Sequence, residues 1–203
     1  LGNGITTMSD WGEYNSFYPF VPCGYTNTLG NGSGEIAYDC KKEDGSVQST
    51  VYANRYRGIE NPFGHIWKWT DGINIQINPT EENGGDNTSK VYVANDPTKY
   101  NDSNYDGYTM RGLEARDNDY VKELVFGEFG EIMPAVVGGG STTYWADYHY
   151  TTIPETTGLR GVLFGGDASS GAYAGFGFAY SSYAPSLATA TIGSRLCFIP
   201  QSV

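Results

Sequence analysis

The stretch from Gly158 to Pro200 constrains the fold more than any other: GLRGVLFGGDASSGAYAGFGFAYSSYAPSLATATIGSRLCFIP. From Gly161 onward it contains no Lys, Glu, Gln, Met, Trp or Asn, and Gly, Ala, Ser, Tyr, Phe and Thr make up most of it. It is too rich in Gly and Ser for an ordinary core and too rich in Tyr and Phe for a linker. Apolar strands bracket it, RGVLF (Arg160–Phe164) and IGSRLCFI (Ile192–Ile199). Two readings fit the composition equally. One is a recognition surface, where Tyr gives stiff amphipathic contacts while Ser and Gly adapt, the mixture used by antibody paratopes. The other is a Gly-rich sheet whose aromatics pack inward.

A chain of 203 residues is long enough for one domain with a sizeable core. Tyr leads the aromatics at 17, which argues against disorder. The net charge is −11, and the 12 basic residues are scattered. That leaves no basic stripe for a phosphate backbone, so nucleic acid is not an expected partner. No apolar run is long enough to cross a bilayer as a helix, so membrane insertion is not expected either. The chain opens on Leu1 and is expected to be the C-terminal part of a longer one. Cys23 and Cys40 could pair across a short loop or stay free as half-buried thiols, and Cys197 is left over.

Taken in order, Ser9 or Asp10 could cap a short helix over Trp11–Phe17, ended by Pro19 and Pro22. Phe17, Phe20 and Val21 are the expected core anchors there. Residues 35–57 read as a hairpin turned at Asp44-Gly45. From Ile66 to Ile77 apolar and polar residues alternate as a strand, with Asp71-Gly72 as its bulge or turn. His65, beside this Trp-containing strand, reads as a packed structural residue. Lys90–Asn95 reads as a strand, and Tyr120–Phe126 as a strand, with a helix turn as the alternative. In Thr143–Tyr150, alternation places Tyr144, Ala146, Tyr148 and Tyr150 on one face and Trp145, Asp147 and His149 on the other. The whole reads as one domain (1–203) with many short strands, few helices and long loops.

Within the polar excursion 96–119, Asp102, Asn104 and Asp106 with Gly107 match the opening of a calcium loop, and Ca2+ is the one candidate cofactor; none is required. The twelfth position is Leu113, with Glu114 one place late, so an Asx-rich turn is the competing reading. Glu128 and Glu131 form a candidate glycosidase pair, but among 23 acidic residues such pairs arise by chance. No G-x-S-x-G, P-loop, H-E-x-x-H or dinucleotide fingerprint is present.

Two segments carry a family resemblance. GHIWKWTDGINI (Gly64–Ile75) resembles the G-N-V-W-E-W-T segment of formylglycine-generating-enzyme-like domains, and TIGSRLCF (Thr191–Phe198) resembles their closing G-F-R segment. YRGIENPFGHIWKWTDGI, GGGSTTYWADYHYT and GLRGVLFGG with IGSRL resemble tail or fibre proteins of gut bacteriophages, many of them variable proteins of diversity-generating retroelements. The resemblance covers the chain from about Tyr56 onward. It implies an α+β, C-type-lectin-like fold: residues 1–55 as an N-terminal portion, 56–203 as the core, and 160–195 as the variable region. In such systems mutagenised adenines turn Asn codons into NNC codons, which cannot encode Lys, Glu, Gln, Met or Trp. The composition of Gly161–Pro200 fits that, as it would fit a small-residue sheet.

By position, the resemblance makes Gly165, Gly166, Ala168, Gly171, Ala172, Ala174, Gly175, Ala184, Ala188 and Ile192-Gly193 the frame. The diversified, ligand-binding places are Asp167, Ser169, Ser170, Tyr173, Tyr180, Ser182, Tyr183, Leu187 and Thr189, with Thr191 beside them. One of the three tyrosines is expected in the core. The implied role is an adhesin at the tip of a tail or fibre, in the virion and outside the cell. It would hold a bacterial surface protein or glycan, contact other tail proteins and assemble as a homotrimer. Only Cys197 stands where the enzymes of the formylglycine family carry two cysteines, and the lectin sugar motifs E-P-N, Q-P-D and W-N-D are absent. Neither an enzyme activity nor the lectin sugar site carries over. A structural virion protein and a carbohydrate-active enzyme are the alternatives.

Overall fold

The computed structural model describes residues 21–41, 44–189 and 191–194. The expected helix over 11–17, the anchors Phe17 and Phe20, and Cys197 lie outside them. Val21 is buried as expected. Cys23 is an exposed free thiol, and Cys40 is buried.

The described chain is nearly all β, which corrects the α+β expectation. Its helical residues are four single turns of 3-10 helix, at Asn27–Leu29, Glu81–Asn83, Pro97–Lys99 and Gly171–Tyr173. The physical reason is punctuation. Gly30 and Gly84 take positive φ immediately after two of these turns. No described segment sustains a 3.6-residue apolar period long enough to outlast the next Gly, Pro or Asn.

Two sheets form. The smaller joins β1 (Gly34–Lys41), β2 (Val47–Tyr56) and β3 (Ile59–Glu60) in sequence order. Its β1–β2 pairing is the hairpin expected from Asp44-Gly45, and Ser46 N–H donates to Asp44 Oδ1 in the turn. Glu60 ties the preceding loop down by accepting from Gly24 N at 2.6 Å and Thr26 N at 2.7 Å.

The larger sheet contains β4 (Trp67–Ile77), β5 (Ser89–Val93), β6 (Thr109–Leu113), β7 (Asp119–Phe126), β8 (Ile132–Val137), β9 (Tyr148–Tyr150), β10 (Gly158–Phe164) and β11 (Ala179–Tyr180). They are ordered β6-β5-β4-β10-β11-β9-β7-β8, and β12 (Ile192–Gly193) runs parallel to the start of β4. This sheet nearly closes on itself. Ala115 N, just past β6, donates to Pro134 O of β8 at 2.8 Å, joining the first strand of the order to the last. Arg111 of β6 braces the same gap, its Nε 2.7 Å from the buried carboxylate of Glu131.

The barrel is filled by β-branched and flexible side chains. Ile75 and Ile77 meet Val91, Val93 and Met133, with Ile73 and Val162 beside them. Alternation along the strands sends these residues inward. The bulge in β4 falls where Asp71-Gly72 suggested: Gly161 pairs with Asn74 but Val162 with Thr70, so Asp71–Ile73 bow out of register. Gly72 sits at φ +77°, and a Cβ there would lie 2.7 Å from the Tyr100 ring. Only glycine fits both constraints.

Candidate functional site

The register of β10, β11 and β9 divides the residues around the Gly-rich run between two faces. Phe164 pairs with Ala179 and Ala179 with His149, all on the barrel side. Leu163 pairs with Tyr180 and Tyr180 with Tyr150, all on the outer side. Leu163 is fully buried there, beneath the aromatic layer that the 165–183 segment lays across the sheet.

That layer is continuous. Tyr120 meets Tyr148 edge-on at 5.1 Å, and Tyr148 lies 4.2 Å from Tyr173. Tyr148 also contacts the buried Phe178, which meets Trp67 at 4.7 Å. Trp67 then reaches Tyr180 at 5.2 Å, and Tyr180 stacks on Tyr150 at 4.8 Å and touches Tyr183 at 5.0 Å. Along it the rings meet edge-on, stacked or tilted. Tyr173 and Tyr183 keep 45% and 42% of their surface in solvent, and Tyr180 is half-buried. None of the three is a core residue; the buried anchor of the segment is Phe178. Burial, then hydrogen bonding and charge from Tyr183, raise the Tyr180 pKa; burial, then Tyr173, raise that of Tyr148. These phenols are neutral hydrogen-bond donors at physiological pH.

The other sequence-predicted places also lie on the surface or half-buried, but several are engaged in their own turn. Asp167 Oδ1 accepts from Ser169 N at 3.0 Å, Ser169 Oγ at 2.7 Å and Ser170 Oγ at 3.0 Å. This is an Asx turn in which side chains hold the backbone. Ser182 Oγ lies 2.9 Å from Thr152 Oγ1, and Thr189 Oγ1 lies 3.1 Å from Thr191 Oγ1. Leu187 is half-buried, and its N–H donates to Ala184 O. Of the frame, Gly165 and Gly166 are buried, but Ala172, Ala184 and Ala188 are exposed.

Sequence reasoning did not assign Trp67, Tyr120, Tyr148 and Tyr150 to this surface. Alternation marked Tyr148 and Tyr150 as facing one way; which strands lie beside them is a property of the sheet order. The alternation holds only over Tyr148–Tyr150, because Tyr144 and Ala146 take positive φ in the turn before it.

The candidate metal and acid residues are placed differently. Asp102 and Asp106 are exposed, and Asn104 Oδ1 accepts from Asp106 N at 2.8 Å. Asn74 Nδ2 holds the same loop by donating to Asn101 O and Asn104 O. No group of three or more His, Cys, Asp or Glu that could hold a metal occurs among the described residues. Glu128 and Glu131 both pair with Arg111. Burial raises the Glu131 pKa, but the Arg111 and backbone hydrogen bonds outweigh it and the net shift is downward. That is opposite to a general acid of a glycosidase pair. His65 is structural, with Nε2 accepting from Val21 N at 2.9 Å.

No family model, no curated protein and no solved structure matches the chain.

Proposed function

We propose that the chain is a receptor-binding module, an adhesin of a phage tail or fibre, which holds a bacterial surface protein or glycan on the tyrosine face built by Tyr173, Tyr180 and Tyr183. The carrying observation is the division of labour along 178–183. Phe178 and Ser181 are buried and fix the segment, while Tyr180, Ser182 and Tyr183 between and after them reach outward. A rigid array of half-exposed tyrosines offers large contact area at small entropic cost, the property of binding hot spots. The sequence resemblance to fibre proteins supports the setting, and the lack of Lys, Glu, Gln, Met and Trp across the segment supports diversification through NNC codons.

The test replaces the two more exposed tyrosines of this face, Tyr173→Ser with Tyr183→Ser, leaving Tyr180 on Trp67. Binding of the labelled domain to receptor-bearing bacterial cells falls by about tenfold or more, with the melting temperature within about 2 °C of the parent. Unchanged binding sinks the proposal. Turnover of surface glycans that survives the double substitution favours the enzyme alternative. In the neighbouring DNA, a reverse transcriptase gene and a near-copy of the 160–195 coding segment differing at adenines are expected.

A further inference from the structure

On the opposite side of the same strands, the barrel opens into a cavity of about 450 Å3. That is within the roughly 300–1,000 Å3 span of small-ligand sites. Its inner wall is apolar, from Ile73, Val162 and Phe164. Its rim carries Phe126, Trp145 and Phe176, which stay 62%, 48% and 49% exposed. Phe126 and Trp145 meet edge-on at 6.3 Å. Three large rings left half in solvent around one opening are unusual for a surface that has no partner.

Two carboxylates line this cavity, Glu131 and Asp147. Glu131 is spent on Arg111. Asp147 has no cation partner among the described residues; Gly177 N donates to its Oδ1 at 3.1 Å. The backbone is shaped around this carboxylate. A Cβ at Gly175 would lie 2.7 Å from Oδ1, and one at Gly177 would lie 2.4 Å from Oδ2. Gly-Phe-Gly thus brings main chain against Asp147 while placing the Phe176 ring at the rim.

We propose that this mouth is a binding site for a small organic cation, an ammonium group with an apolar body, held by Asp147 at the opening that Trp145, Phe126 and Phe176 line. A carboxylate lining the same opening as three aromatic rings can supply the charge and quadrupole attraction that recognises alkylammonium ions. A neutral apolar ligand would leave Asp147 desolvated without compensation. Burial raises the Asp147 pKa against the smaller opposing effect of the Gly177 N–H, as expected of a carboxylate whose counter-charge is missing. The site is independent of the tyrosine face, which lies across the sheet.

Calorimetric titration of the whole chain with choline, tetramethylammonium and benzyltrimethylammonium tests it. The comparison is the uncharged carbon analogue of choline, with tert-butyl in place of trimethylammonium. The cations bind, and the neutral analogue binds about tenfold or more weakly, a gap of about 1.4 kcal/mol or larger. Asp147→Asn abolishes the preference for the cation, and Trp145→Leu weakens all the cations, each with its melting curve as the check on folding. Equal binding of choline and its neutral analogue overturns the proposal without any variant. So does the absence of binding by all three cations at millimolar concentration, or a cation preference that persists in a folded Asp147→Asn protein.

Discussion

Glu114 is buried beside Ser181, whose hydroxyl donates to its Oε1 at 2.7 Å. Burial dominates over that hydrogen bond and over Arg116, and the pKa is pushed up to about 8 from 4.5. Folding therefore holds a proton on Glu114 that the unfolded chain releases above about pH 4.5, so its contribution to stability is lost as pH rises through about 8. His149, fully buried with Nε2 3.0 Å from Ala115 O, has its pKa lowered by burial below 6.5, and its contribution is lost as pH falls below that value. The two slopes oppose one another just below about pH 6.5, and only Glu114 acts above it. The melting temperature is expected to fall between about pH 6.5 and about pH 8, and Glu114→Gln is expected to flatten that fall. A thermal melt series in both proteins checks this; an equal fall in the variant assigns the effect elsewhere. In the sequence, Glu114 stood out only as an acid one place late for a calcium loop. Its burial depends on Ser181, 67 positions away, and no local pattern announces that pairing.

Strands whose signal was local were legible, and those made by their neighbours were not. β4 was readable because Ile73, Ile75 and Ile77 alternate and Asp71-Gly72 interrupts them. Its bulge also gives an element-scale expectation. Gly72→Ala must adopt φ +77° with Cβ against the Tyr100 ring, and is expected to cost roughly 1–3 kcal/mol in urea unfolding. A neutral result would mean that the bulge can shift register. β6 was not readable: Met110 and Leu113 are exposed, so the strand carries no alternating pattern, and only its pairing with β5 defines it. The α+β expectation came from the resemblance rather than from periodicity. The tyrosine face was legible in part for the same reason. Tyr173, Tyr180 and Tyr183 lie in one compositional run, while Trp67 and Tyr120 join them through sheet order alone.

At the scale of the whole molecule, the larger sheet depends on a short seam between β6 and β8. Ala115 N to Pro134 O and Arg111 to Glu131 span it, and the Arg111 guanidinium also lies 4.8 Å over the Phe129 ring. Arg111→Met leaves the Glu131 carboxylate without its cation partner and is expected to lower stability. Adding Glu131→Leu removes the stranded charge and is expected to recover most of the loss. Chemical denaturation of the two single variants and the double variant checks the cycle. Additive losses would show that the pair does not hold the seam.

The two-residue strand β11 is the partition between the barrel mouth and the outer tyrosines, with Ala179 turned one way and Tyr180 the other. Segments of fixed length can exchange side chains on either side without disturbing this arrangement. A shift of β11 by a single residue against β10 and β9 would swap the sides, sending a phenol into the barrel and baring a methyl outside. What this partition locks is the pairing of two residues, while the letters spelled on its outer side stay open to change.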